Sequence, residues 1–266
     1  ILFLLSIGAM KNTRFQSREP FNLKVISSRN WLLIFTLFYL LFFVQYVYST
    51  LDGVNYINDF FLYKNEIIKG VFGTLALSLG TGALVSVFLL MVAFVWEKNY
   101  FSRFMLGYIG PSSALTALAF FILGYNISFL TFFKILMALV LIYSSLAYRL
   151  GWHTLLYDLE SEKEKAQIMG ADDRLIFKKI ILPRVVKRAL FLGGMASFWA
   201  AGEFAISKIL SNSDFSVAMI IETFISQYRI GLASVLTFLV LLLGAVVFFI
   251  FVGVGDVLSK KIKNSL

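Results

Sequence analysis

The sequence predicts an all-α integral membrane protein. Of its 266 residues, 59% are hydrophobic and 15% are charged, and the mean hydropathy is +0.84. A soluble domain carries about 25% charged residues. Most apolar residues are gathered in runs of about 20, the length that a helix needs to cross the hydrocarbon core of a bilayer. The Lys and Arg residues lie mainly between these runs. These observations exclude an ordinary soluble domain.

Six apolar runs are predicted to be membrane spans, namely residues 31–48, 71–96, 104–123, 129–148, 189–210 and 230–254. The second run is rich in Gly, Ser and Thr, and small residues let helix backbones approach closely in lipid. We therefore expect the second span to lie inside the bundle. Pro111 should kink the third span or mark its start, because proline lacks the N–H donor of a regular helix.

The basic residues predict which ends of the spans face the cytoplasm, since cytoplasmic loops carry an excess of Lys and Arg. Of the 24 such residues, 19 fall in residues 11–30, 97–103, 149–188 and 255–266. We expect residues 1–10 to be the tail of a truncated transmembrane helix and 11–30 to be a cytoplasmic basic linker. Residues 31–256 would form the transmembrane domain, and 257–266 a cytoplasmic tail. This distribution argues against a nucleic-acid partner, despite the net charge of +9.

Composition and motifs also limit the chemistry. The chain has no Cys, which excludes disulfides and thiolate metal sites. Its single histidine, His153, argues against a histidine-built metal site and against a Ser-His-Asp triad. The phosphate-binding pattern G-x-x-x-x-G-K-S/T is absent. We therefore expect no enzymatic activity, no metal and no cofactor in this chain.

The longest charged stretch of the chain is residues 160–188, inside a predicted loop at 151–188. Ser161 and Glu164 have the S-x-x-E spacing of a capping box, which predicts a helix that starts at Ser161. Gly170 is suited to end that helix, because glycine tolerates a positive φ. Asp172 or Asp173 can cap a second helix, which is expected to end at Pro183.

The same stretch resembles the cytoplasmic "EAA" loop of permease subunits of bacterial ATP-binding-cassette (ABC) importers. That loop reads E-A-A, three residues, G, nine residues, then I-x-L-P. Here Glu164-Lys165-Ala166, Gly170 and Ile180-x-Leu182-Pro183 keep every spacing, and only Lys165 departs from the pattern.

The resemblance implies a six-helix transmembrane domain of a type I ABC importer with cytoplasmic coupling helices. It implies a multi-pass permease in the bacterial inner membrane, which forms the translocation path. The implied partners are a dimer of ABC ATPase subunits that binds the ATP, a second permease lobe (fused or separate), an extracytoplasmic substrate-binding protein and the lipid bilayer. The residues implied in coupling or ATPase contact are Glu164, Ala166, Met169, Gly170, Ile180, Leu182 and Pro183. Ala166 and Met169 are expected to share one helical face.

Glu203 lies in the middle of the fifth predicted span, and the family often has a similar Glu-Phe there. A carboxylate within a span costs a few kcal/mol and usually faces a cavity, a pathway or a partner. Two interpretations of Glu203 remain open. It either lines the translocation path or pairs with a polar group across the bundle. Lys208, five residues later, does not share a helical face with Glu203 and is not expected to be its partner.

Residues 212–229 are expected to face the binding protein. With the fifth span they resemble importers of the thiamine and ferric-iron type, through Asp214-Phe215 and Tyr228-Arg229. This implies thiamine or ferric iron as the substrate; a loop whose aromatic residues anchor the interface is the alternative. Residues 1–10 suggest the second half of a fused two-lobe permease, or a single-lobe subunit with an extra amino-terminal helix. The alternative function is an ion-gradient-driven secondary transporter, which needs intramembrane acids or broken half-helices.

The topology is testable because the chain contains no Cys. With Ser17→Cys, we expect no labelling by an impermeant thiol reagent applied to intact cells, and full labelling after the membrane is permeabilised. The reason is that residues 11–30 carry the basic charge of a cytoplasmic segment. Labelling from outside intact cells would overturn the orientation.

Overall fold

The computed structural model describes residues 28–54, 61–94, 113–123, 131–211 and 215–264. The described part of the chain is helical and contains no strand, which confirms the all-α prediction there. Two short segments of wide π-helical turns, Tyr148–Trp152 and Phe177–Ile181, each connect two consecutive α-helices. In chain order the helices are α1 (Ser28–Val54), α2 (Lys64–Phe94), α3 (Ser113–Leu123), α4 (Thr131–Ala147), α5 (His153–Ile168), α6 (Asp173–Ile176), α7 (Leu182–Ala201), α8 (Ala205–Leu210), α9 (Val217–Ser226) and α10 (Ile230–Asn264).

Three of the described stretches are long and apolar enough to cross a membrane, namely Lys64–Ala93, Thr131–Ile168 and Ile230–Ile262. They contain 30, 38 and 33 residues, and a crossing helix needs about 20. They overlap the second, fourth and sixth predicted spans, and they support a membrane protein. The first predicted span lies in α1, and the end of the third lies in α3. Residues 1–27 and 104–112, the latter with Pro111, are outside the described residues.

The fifth predicted span is divided in the structure. Helix α7 ends at Ala201 and α8 begins at Ala205, so Gly202–Phe204 interrupts the helix that the apolar run predicts. Helices α2 and α10 are instead longer than their apolar runs. Their polar ends continue the helices because no proline interrupts them.

Helix α7 lies between α2 and α10, with which it makes its most extensive contacts. It crosses α2 where Gly82 faces Gly193. A Cβ atom added to Gly193 would lie 2.6 Å from the carbonyl oxygen of Gly82 and would overlap the Ser86 hydroxyl. The two backbones are therefore in direct contact. The small residues bury one face of the second span, but the span is not enclosed as expected, since Phe72 and Met91 are 69% and 59% exposed.

Serine hydroxyls of α2 bond to the backbone of α7 on both sides of this crossing. Ser78 Oγ donates to the carbonyl oxygen of Ser197 over 2.8 Å. Ser86 Oγ donates to the carbonyl oxygen of Gly82 in its own helix over 2.7 Å and makes a longer contact, of 3.3 Å, with that of Ala189. Both hydroxyls are buried. Interhelical hydrogen bonds of this kind supplement packing in lipid. Lipid tails are as apolar as the helix surfaces, so no hydrophobic effect drives the helices together.

The outer flank of the bundle is built on α10. Helix α1 is joined to it by the Ser234 hydroxyl, which donates to the carbonyl oxygen of Ser49 over 2.9 Å. Helix α9 packs against α10 and α2, and the Val217 N–H at its start donates to Thr74 Oγ1 of α2 over 3.0 Å. Thr74 thus satisfies a backbone donor that the first turn of α9 leaves free.

The crossing predicts a test with a matched control. Gly193→Ala should lower the stability by about 1–3 kcal/mol, because the added methyl group overpacks the contact with α2. Gly253→Ala, on α10, should instead leave stability unchanged or raise it, since no described atom outside the nearby backbone of its own helix lies within 4 Å of its added Cβ and Ala favours a helix. Thermal unfolding of both variants in detergent measures this. Equal effects of the two substitutions would contradict the close crossing.

Candidate functional site

The charged stretch, residues 160–188, forms the end of α5, the turn at Gly170, α6, the wide turn Phe177–Ile181 and the start of α7. Gly170 has a φ of 82°, in the left-handed region. Its N–H donates to the carbonyl oxygen of Gln167 over 2.9 Å, and the Ala171 N–H donates to that of Ala166 over 3.0 Å. These two bonds form a Schellman motif, the common way for a helix to end at glycine. The prediction that Gly170 ends a helix is confirmed.

The predicted start of that helix is wrong. Ser161 is exposed in the interior of α5, which begins at His153. The helix enters from α4 through the wide turn Tyr148–Trp152, where Gly151 has a φ of 125°. Backbone N–H groups near Ser161 therefore have helical partners, and none is left for a capping box.

The second predicted helix begins where expected and does not end where expected. The carbonyl oxygen of Asp172 accepts the Ile176 N–H over 3.0 Å, and α6 starts at the next residue. Pro183 does not terminate a helix, because it lies in the first turn of α7. The first turn needs no N–H donor from proline, and the wide turn Phe177–Ile181 before it makes room for the ring.

The seven residues implied in coupling separate into an inner and an outer group. Ala166 and Ile180 are partly buried against the main core, Leu182 is half-buried, and Pro183 is buried. Glu164, Met169 and Gly170 are exposed. The structure thus does not give Ala166 and Met169 one shared outward face, because α5 unwinds at Met169 while Ala166 packs inward.

Apolar side chains are exposed on both sides of the Gly170 turn. Ile168 is 86% exposed, Met169 is 85% exposed and Leu175 is 50% exposed. We call these three residues the tip patch. Of these three residues, the resemblance to the EAA loop implies an ATPase contact only for Met169. The presence of apolar residues inside a charged stretch was a signal that could have identified the other two.

An ion pair ties the tip-bearing helix α5 to α7. Arg184 Nη1 lies 2.6 Å from Glu162 Oε1. Both side chains are partly exposed, so the pair is worth about 1 kcal/mol or less. The connection between α5 and α7 rests mainly on packing, since Ile176 and Ile181 between them are buried in the main core.

Glu203 lies in the interruption between α7 and α8, and both of its carboxylate oxygens accept hydrogen bonds. Oε1 accepts the Ile206 N–H over 3.3 Å, and Oε2 accepts the Tyr143 hydroxyl over 3.2 Å. Glu203 therefore caps α8 and joins it to α4. The pairing across the bundle is present, and its partner is Tyr143, which sequence reasoning did not name. Lys208 is not its partner, as expected, and pairs instead with Glu222, at 2.9 Å.

A cavity of about 880 Å³ lies beyond α8. It includes aromatic rings and two charged side chains on α2, and its lining residues are Tyr63, Glu66, Lys69, Gly73, Thr131, Phe132, Ser211, Phe215, Ile220, Thr223, Phe224 and Gln227. We call it the α2–α9 cavity. Helix α8 has six residues and is about 9 Å long. It lies between Glu203 and Ser211, which lines this cavity.

Strained backbone at the end of α9 places a cation beside this cavity. Tyr228 has a φ of 61° and is 90% exposed, and a left-handed non-glycine residue costs about 1–2 kcal/mol. The resulting turn directs Arg229 to Tyr63, with Nη1 2.8 Å from the hydroxyl and the guanidinium carbon 5.2 Å from the ring centroid. Phe215 and Tyr228-Arg229 are described, whereas residues 212–214, including Asp214, are not.

No family model matches the chain, and no curated protein matches it. Within the described ranges, no group of three or more His, Asp or Glu side chains is arranged to hold a metal ion. Three places in the described structure are candidates for function, namely the tip patch, the interruption at Glu203 and the α2–α9 cavity.

A double-mutant cycle tests the pairing of Glu203 with Tyr143. Tyr143→Phe should lower stability by about 1–3 kcal/mol, because it removes a donor from a half-buried carboxylate. Glu203→Gln should cost less, since the amide oxygen still accepts. We expect a coupling energy of at least about 0.5 kcal/mol from thermal unfolding of the two single variants and the double variant. Simple additivity would show that the two groups do not interact.

Proposed function

We propose that this chain is the membrane-spanning permease component of a type I ABC importer. In this proposal it forms the substrate translocation path and couples that path to ATP hydrolysis by a separate ATPase subunit. The observation that carries the proposal is the stretch from Glu164 to Pro183. Its residues match the spacing of the EAA loop, and its Gly170 turn is exposed and flanked by apolar side chains.

The inner and outer residues of this stretch suit two different tasks. The tip patch offers apolar surface and Glu164 offers charge to a docked ATPase. Ala166, Ile180 and Pro183 hold the loop against the bundle. A displacement of the tip therefore reaches α7 through packed side chains rather than through a flexible linker, and only elements with fixed packing transmit a shift of this kind.

The other end of α7 supports a role in the path. Helix α7 ends at Ala201, two residues before Glu203. Helix α8 connects Glu203 to the α2–α9 cavity, and a cavity of about 880 Å³ is within the range of small-molecule sites. In the proposed mechanism, closure of the ATPase dimer moves the tip, α7 moves with it, and the Tyr143–Glu203 contact changes. Access to the path then alternates between the two sides of the membrane.

The remaining partners belong to the same proposal. They are a dimer of ABC ATPase subunits, a second permease lobe, an extracytoplasmic substrate-binding protein and the bacterial inner membrane. Thiamine or ferric iron is the proposed substrate. Arg229 beside Tyr63 would then lie on the side that receives the loaded binding protein.

One observation favours a second candidate, an ion-gradient-driven secondary transporter. Transporters of that class bind ions where a spanning helix is broken, and Glu203 lies in such a break between α7 and α8. The two functions differ in their energy source. Transport by the first requires an ATPase partner, and transport by the second persists when that partner is absent and stops when the ion gradient is dissipated.

Gly170→Asp tests the ATPase contact. No atom of the described chain lies within 4 Å of a Cβ added to Gly170, so the chain should still fold at a cost of about 1–2 kcal/mol for the left-handed backbone. In a docked complex the added side chain would meet the partner. We expect at least a tenfold loss of the MgATP hydrolysis that co-purifies with the tagged chain.

Ser161→Asp is the matched control, because it adds the same charge to an exposed position of α5 with ordinary helical backbone. It should retain the co-purifying hydrolysis. If the wild-type chain carries no ATPase activity, or if Gly170→Asp retains all of it, the importer proposal loses its support.

A further inference from the structure

A second, smaller cavity lies at the end of the bundle that carries α5. Its volume is about 300 Å³, and it is formed by one residue of α5, four of α7 and two of α10. We call it the Arg188 groove; it is lined by Leu155, Arg184, Lys187, Arg188, Phe191, Val252 and Asp256. Three of these seven residues are cations and one is an anion.

Two of the three cations are already neutralised. Lys187 Nζ lies 2.8 Å from Asp256 Oδ1, and Arg184 pairs with Glu162 just outside the groove. Arg188 differs from them. Among the described residues it contacts the carbonyl oxygen of Leu150, at 3.4 Å, and the ring of Phe191, with 5.3 Å between guanidinium carbon and ring centroid. Neither contact supplies a negative charge, so the groove retains one uncompensated positive charge.

The remaining hydrogen-bonding capacity of Arg188 suits a phosphate. A guanidinium group has five N–H donors in a planar fork, a shape that binds two oxygens of one phosphate. Phe191 supports one face of the group and holds it in place. The match is to an anion with a single charge, because one positive charge is left in the groove.

The walls of the groove indicate what is attached to that anion. Leu155, Phe191 and Val252 make it mainly apolar. It opens near the end of the candidate span Ile230–Ile262, one turn after Phe249 and Ile250, which are exposed apolar residues of the same helix. A cation at the end of a lipid-facing apolar surface is complementary to a phosphate esterified to acyl chains.

We propose that the Arg188 groove binds the phosphodiester headgroup of an anionic phospholipid, with an acyl chain lying along the exposed face of α10. A phosphodiester carries one negative charge, which matches Arg188. Basic pockets between spanning helices bind anionic lipid headgroups in other membrane proteins. The proposal requires only that α10 crosses a membrane, and it does not depend on the importer function.

The test measures retention of added lipid by native mass spectrometry of the full-length chain in a neutral detergent. Phosphatidylglycerol and phosphatidylcholine are titrated separately, and inorganic phosphate is added as a competitor. We expect the wild-type chain to bind phosphatidylglycerol more tightly than phosphatidylcholine. Arg188→Gln should weaken phosphatidylglycerol binding about fivefold and weaken phosphatidylcholine binding less, because the choline cation already balances its phosphate.

Lys178→Gln is the matched control, because Lys178 is an exposed cation outside the groove, and its binding should equal that of the wild type. Arg188→Lys keeps the charge but lacks the planar fork, and it should weaken phosphatidylglycerol binding at least twofold. It replaces Arg188→Gln if that variant does not fold. Equal weakening by Lys178→Gln would show a diffuse surface effect and overturn the proposal. So would full displacement of phosphatidylglycerol by millimolar phosphate, since the groove would then recognise free phosphate rather than a lipid.

Discussion

The backbone contact between α2 and α7 at Gly82 and Gly193 is the constraint on which the other features depend. In lipid no hydrophobic force drives one apolar helix onto another, so close packing and interhelical hydrogen bonds must hold the pair. Ser78 and Ser86 supply those bonds, and glycine supplies the approach. With α7 held in this way, α10 packs on the neighbouring face of α7, where Phe251 also reaches Gly82 of α2, and α1 and α9 assemble on α10.

Helix α7 is packed along its length. Residues near its two ends contact residues that are distant in the sequence. Its start follows the Gly170 turn and carries the arginine that holds α5. Its last turn leads into the interruption at Glu203, whose carboxylate contacts Tyr143, 60 positions away in sequence. A helix of 20 residues is about 30 Å long. One helix therefore connects the region of the tip patch with the interruption at Glu203.

Several features of the fold followed from the sequence, and the reason is local in each case. The apolar runs marked the stretches Lys64–Ala93 and Ile230–Ile262 through hydropathy alone, and Gly170 marked a helix end through its tolerance of positive φ. The failures depended on distant partners or on context. Ser161 has the chemistry of a cap, but α5 already runs through it. The interruption at Glu203 relies on Tyr143 of another helix, and the left-handed turn at Tyr228 carries no glycine that would reveal it.

The departure of this chain from the EAA pattern has a physical explanation in the structure. The pattern has two alanines, and Lys165 replaces the first of them. Lys165 is exposed on α5, where a long charged side chain remains solvated at little cost. Ala166 retains the second alanine, and it packs inward beside Ala171, where the helix closes its last hydrogen bond. A larger residue at 166 would overpack that contact. Position 165 thus faces away from the bundle, whereas Ala166 packs inward against the main core.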